Sequence, residues 1–497
     1  MKFISIVIVV SLLTIFQANG QEVELNDNCK EAYQNILALR FNAAHQKLEA
    51  EKEINPNNLF VPYLENYIDF LTVFISEDEG QFEWLEDNKL KRINTIKKLS
   101  DTSRFKKYML GNIYLQWAVA RLKFKEYITA AIEINKAYRL LEANAEEFPG
   151  FVPNNISLGV LHVMIGMVPE KYQWLLNIIS MKGSVEQGRR ELEYVLEESN
   201  KNEIYHYLRA ETLFYLGFID LNIKPDADQL AFLLSELALN RKDNLLLSYL
   251  SINILMRTGK NDSALFVFDE NMEPDDYYPF YYLEYLSGEC HLRKLDSDRA
   301  SKDYHVFLSN FNGRNYIGDA WRKLGWSALL KNDTSAYFNY LSKVIEFGND
   351  DVDIDKEAKI EANTEIAPNI ELIKTRLLFD GGYYVKADSV LNEINMATLG
   401  TEEKIEWQYR CARVAHELGN IGQAKSYYNE TIEIGSWSDR YYAANSCLKL
   451  GGIYEMENNK VKAIYYYNLC RNLKFDEYEN SIHAKAKAGL ERVNAQD

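Results

Sequence analysis

Residues 447–475 read C-L-K-L-G-G-I-Y-E-M-E-N-N-K-V-K-A-I-Y-Y-Y-N-L-C-R-N-L-K-F. Small and apolar residues recur at helical spacing on both sides of the polar pair Asn458-Asn459, which predicts two short antiparallel helices joined by a turn. Counting from Gly451, Tyr454 follows after three residues, Ala463 after twelve and Tyr467 after sixteen. Glycine and alanine let the two helices approach closely, and the tyrosines fill the space beside them. A pair this short cannot bury its own apolar face and needs copies stacked against it.

This spacing is that of a tetratricopeptide (TPR) repeat, and the stretch resembles that family. Further copies follow the same pattern. Phe41, Ala44, Leu48 and Pro56 mark one near the start; Gly259, Ala264 and Phe268, and Gly288, Ala300 and Tyr304, mark two more. Trp321, Leu324 and Gly325 open another, while Gly382, Tyr384, Ala387 and Leu391, and then Gly419, Ala424 and Tyr428, close two. Ala264, Ala300, Ala387, Ala424 and Ala463 are separated by 36, 87, 37 and 39 residues. The long interval holds one repeat and an acidic insertion, Gly348 to Glu357, read here as a solvated loop. The expected fold is all-α, a TPR-like α-solenoid: a superhelix of roughly ten to twelve antiparallel helix pairs. Nine prolines in 497 residues suit such a chain, because proline breaks helix interiors.

Met1-Lys2, the apolar run Phe3 to Phe16 and Ala18-Asn19-Gly20 have the form of a secretory signal cleaved before Gln21. The run is shorter than the roughly 20 apolar residues of a membrane span, and no cysteine stands at the cleavage point. An exported protein, periplasmic or associated with a bacterial outer membrane, is therefore expected. The organisation is read as 1–20 signal peptide, 21–147 TPR-like helices, 154–240 an atypical apolar helical segment, 241–475 TPR repeats and 476–497 a capping helix. The formal charge of −17 argues against nucleic acid and anionic lipid as partners. Five widely spaced cysteines describe no disulfide framework; only Cys447 and Cys470, in one repeat, are placed for a bridge.

Residues 154–195 depart from the repeat pattern. Leu158 to Met167 is almost continuously apolar, so its helix should be buried on most faces. A V-P-x-x-Y-x-W-L helix and a K-G-x-x-x-x-G turn follow, with Ser184 capping a third helix. This segment resembles the central part of the inclusion-body-clearance type of TPR protein. That resemblance implies scaffolding and carries over no catalytic residue.

In a TPR solenoid the first helices of successive repeats line the concave face. Alignment on the glycine positions places Tyr249, Asn253, Arg257, Tyr282, Tyr285, Arg293, Arg322, Trp326, Arg376, Tyr409 and Arg413 there. Arginine forks hold carboxylates by two points and aromatic rings supply rigid contact area, so this wall suits an extended peptide or a chain terminus. The competing reading has these arginines pairing with neighbouring acids and the rings filling gaps between repeats. The seven histidines are scattered, with no H-E-x-x-H, G-x-S-x-G or phosphate-loop motif. The run Asp350, Asp351, Asp353, Asp355, Glu357 lacks the glycine and final glutamate of a calcium loop. The chain is thus expected to be a non-catalytic scaffold without cofactor or metal that binds proteins, such as a cell-envelope complex. The alternative is a glycan-binding accessory protein of the starch-utilisation type, suggested by 34 tyrosines whose faces could stack on sugars.

Overall fold

One backbone feature repeats through the chain and explains how the helices pair. Leu39, Lys125, Gly259, Leu295, Asn332, Gly382, Gly419 and Asn458 all have φ between 57° and 79°. Each stands two residues beyond one helix and two before the next. A left-handed residue there ends the first helix and turns the chain back antiparallel. The turn recurs because the repeat recurs.

The structure is a computed structural model and describes residues 23–168, 181–223, 227–270, 276–364 and 366–495. The signal-like residues 1–20 and most of the V-P-x-x-Y-x-W-L stretch lie outside the described residues. Those described form twenty-four α-helices and no strand, and none of these helices is long and apolar enough to cross a membrane. The chain is an all-α, TPR-like α-solenoid in two compact units, Met1–Leu216 with Asp275–Tyr278, and Gly217–Pro274 with Pro279–Asp497.

In the first unit Asp27–Leu37 pairs with Phe41–Ile54, and Arg104–Lys123 with Tyr127–Glu147. Asn154–Gly166 crosses Val185–Lys201 where a Cβ on Gly188 would lie 2.2 Å from the Gly159 carbonyl oxygen, so only glycine fits. Ser184 caps the latter helix, accepting the Gln187 N–H at 3.1 Å. His162, on the apolar helix, is buried between Glu142 and Glu191.

In the second unit the pairs follow the expected alanines, all fully buried. Gly288 faces the Tyr304 ring, Gly325 faces Tyr337, and Gly451 faces Tyr467, each leaving no room for a Cβ without displacement. Val267, rather than Phe268, is the buried residue of its repeat. One sequence expectation needs correction, and one open pairing is decided. Residues 350–357 are not simply a solvated loop, because a helix starts at Asp353 and the Asp355 carboxylate is fully buried. It accepts the Tyr316 and Asp319 N–H groups at 2.7 and 2.8 Å, at the start of the helix Ile317–Leu330. A carboxylate at that end satisfies orphan donors and matches the helix dipole. Cys447 and Cys470 are not bridged; all five thiols are free and buried, and burial pushes the Cys470 thiol to about 12, which leaves it unreactive.

Within this unit the turns at Gly259 and Gly382 touch, since a Cβ on Gly382 would meet the Gly259 carbonyl oxygen at 1.8 Å. Arg293 stands beside both, donating to the Met256 and Asp380 carbonyls at 3.3 and 3.4 Å. The helix Leu245–Arg257 is thereby brought next to Ile370–Asp380, although Arg257 and Ile370 are 113 residues apart in the chain.

Candidate basic pocket of the second unit

The close approach of distant repeats encloses a cavity of about 350 Å³. Its cationic lining is Arg257, Arg376, Arg410, Arg413 and Lys485, against a single acid, Asp380. Polar and aromatic groups complete the wall: Phe379, Tyr409, Tyr441, Asn445, Tyr478 and Ser481. The geometry follows from helical spacing. Tyr409, Arg410 and Arg413 share one inward stripe of Thr401–Glu417; Tyr441 and Asn445 come four residues apart; Ser481, Ile482 and Lys485 form the inner stripe of the last helix, with Tyr478 just before its start.

The cations are unevenly compensated. Arg410 is held by Glu406, with Nε to Oε1 at 2.7 Å. Burial works against the Glu406 charge, yet Arg410 and Arg376 hold that carboxyl below its ordinary range. Arg376 reaches Asp380 only at 4.0 Å and lies over the Trp326 ring, 5.1 Å from its centroid. Arg413 donates Nη1 to the Tyr409 hydroxyl at 2.9 Å and stacks on Phe379 at 4.5 Å. Its Nε is buried without a hydrogen-bond partner among the described residues, as is the Asn445 Oδ1. Behind them, burial and then Arg413 push the Lys449 ammonium down to about 8, while Glu417 pulls the other way. Burial and Arg257 also lower Lys485. Burial is the larger cause of both shifts, and the excess of positive charge lies in the lining itself, five cations to one acid. An anion presenting both an acceptor and an N–H donor would satisfy Arg413 and Asn445 together.

Of the eleven residues expected on the concave wall, Arg257, Arg376, Tyr409 and Arg413 converge here. The others occupy the neighbouring wall. Tyr249 packs on Phe280 and Tyr282, and Asn253 donates to the Tyr249 carbonyl. Tyr282 stacks on Tyr285, and the Tyr285 hydroxyl donates to Asp319 at 2.6 Å. Arg293 also faces Glu289 at 3.7 Å. Arg322, only 3% exposed, is paired with Asp319, and the Trp326 indole donates to Glu361 at 2.7 Å. Arg322→Glu would bury a third acid beside Asp319 and Glu361 and destabilise this wall. Arg410, Tyr441, Asn445, Lys449, Tyr478 and Lys485 were not anticipated. Their signal was the i, i+4 polar series 441, 445, 449 and the basic inner stripe of the last helix, which reads at first as a solvated cap.

Comparison with family models and with curated proteins finds no match for this sequence. Among solved structures the chain is similar to the IFIT1 monomeric mutant with Gppp-AAAA, at 13% identity over 96% of this chain and 97% of that one, with a TM-score of 0.33. It is also similar to the APC/C hetero-tetramer Cut9-Hcn1 (11% identity, 93% and 95% covered, TM-score 0.28) and to yeast Tom70 (14%, 93% and 96%, 0.23). TM-scores this low say nothing of the ligand or partner of this chain.

Proposed function

We propose that this chain is a non-catalytic protein-interaction scaffold whose second unit receives a carboxylate group of a partner polypeptide, a chain terminus or an acidic side chain. The observation that carries this reading is the convergence of five cations on one acid in a cavity of about 350 Å³, in a chain of net charge −17. Guanidinium forks bind carboxylates by two parallel hydrogen bonds. The orphan Arg413 Nε and Asn445 Oδ1 match a carboxylate and the amide N–H next to it. Tyr409, Tyr441 and Tyr478 add rigid contact area around that anchor.

Export to the cell envelope is part of the proposal and rests on the residue pattern of 1–20. The test compares capture from an envelope extract by the full chain and by its Arg257→Glu/Lys485→Glu variant. Both positions are exposed rim residues, so the variant keeps its fold. Capture that the variant loses, and that free hexaglutamate elutes from the original chain, is the expected result. Equal capture by both proteins would overturn the reading.

A further inference from the structure

The first unit carries a second, oppositely charged constellation. Tyr207, Glu211 and Tyr215 recur at intervals of four along the 3-10 turn Glu203–Leu208 and the helix Arg209–Asn222, and all three are half-buried. Behind this stripe stand four buried tyrosines, Tyr33, Tyr63, Tyr67 and Tyr108. The Tyr33 hydroxyl donates to Glu211 Oε2, the Tyr67 hydroxyl to Oε1, and Tyr215 also hydrogen-bonds the carboxylate. Tyr33 stacks on Tyr67 at 5.8 Å and meets Tyr207 edge to face at 5.6 Å. No basic side chain pairs with Glu211 among the described residues. Arg104, whose charge acts on Tyr207, lies over the Phe105 and Phe151 rings at 5.0 and 5.2 Å.

We infer that Glu211 and the surrounding tyrosine rings form a site for an alkylammonium group. Such a cation supplies the charge that the carboxylate lacks, and ring faces attract it through their quadrupoles. Three hydroxyl donors orient the carboxylate without cancelling its charge. Burial raises the Glu211 carboxyl above its ordinary range even with those donors in place, so compensation is incomplete. The site is independent of the basic pocket: it belongs to the other unit and has the opposite charge.

Calorimetric titration of the full chain with tetramethylammonium, n-butylammonium and the neutral isostere tert-butanol, at matched ionic strength, tests this. The ammonium probes are expected to bind and the alcohol not to. Glu211→Gln should weaken binding by about tenfold or more. Tyr207→Leu, at a half-buried rim position where folding is not at stake, should weaken it several-fold. Binding of both ammonium ions by Tyr207→Leu and by a folded Glu211→Gln as tightly as by the original chain would overturn the inference. So would the absence of any preference for ammonium over the alcohol.

Discussion

His162 shows how a single side chain can be buried and charged. It is 2% exposed, with Nδ1 at 2.6 Å from Glu191 and Nε2 at 3.3 Å from Glu142. Burial opposes its charge, but the two carboxylates prevail and raise it to about 9. A histidine whose folded value lies above its unfolded one stabilises the fold fully below about pH 6.5, and the gain is lost as pH rises through about 9. His162→Gln should therefore cost about 2 kcal/mol more at pH 6 than at pH 10. Urea denaturation at the two pH values checks this; an equal cost at both would mean the ring acts by packing alone. The sequence placed His162 on an apolar helix, but its partners come from 20 residues before and 29 after, through tertiary contacts that local spacing does not contain.

At the scale of the element, the repeat was legible where its small residues are. The repeat alanines Ala264, Ala300, Ala387, Ala424 and Ala463 are all buried, because a larger side chain would hold the helices apart. Gly451 is the sharpest case: a Cβ there would lie 2.5 Å from the Tyr467 ring. Gly451→Ala should cost about 1–3 kcal/mol by overpacking, and Tyr467→Leu in the same chain should recover part of it. A double-mutant cycle of denaturation midpoints reads that coupling, and strict additivity would contradict the packing described. Other repeats were harder to see because geometry is kept without the consensus residue. Of the eight left-handed turn positions three are glycine and two asparagine, while Leu39, Lys125 and Leu295 carry side chains that rarely adopt φ near 60°. The pair that turns at Lys125 left no marked repeat in the sequence, whereas those at Leu39 and Leu295 were legible through Ala44 and Ala300. The acidic insertion misled for a different reason. A run of aspartates reads as solvated, and only the fold shows that the Asp355 carboxylate meets a distant helix start.

At the scale of the whole molecule, a net charge of −17 and a basic pocket pull in opposite directions. The Debye length is about 8 Å at physiological salt, so remote acids are screened while charges inside the pocket act at contact distance. A carboxylate ligand would thus be held locally, against a repulsive global field. Four pocket residues were legible as inward positions of recognised repeats. The rest were not, because the cavity closes only when Arg257 and the final helix are brought to the same wall by the coil of the repeats.

The most direct measurement is calorimetric titration of the full chain with hexaglutamate at pH 8 in two buffers of different ionisation enthalpy. Lys449, behind the lining, is held near 8 by burial and Arg413, so an anion that neutralises Arg413 should raise that value and draw a proton from the buffer. The account predicts binding with net proton uptake, an uptake that Lys449→Met reduces, and loss of affinity in Arg257→Glu/Lys485→Glu. No binding of hexaglutamate, or binding unchanged by the rim substitutions and without proton uptake, would contradict it.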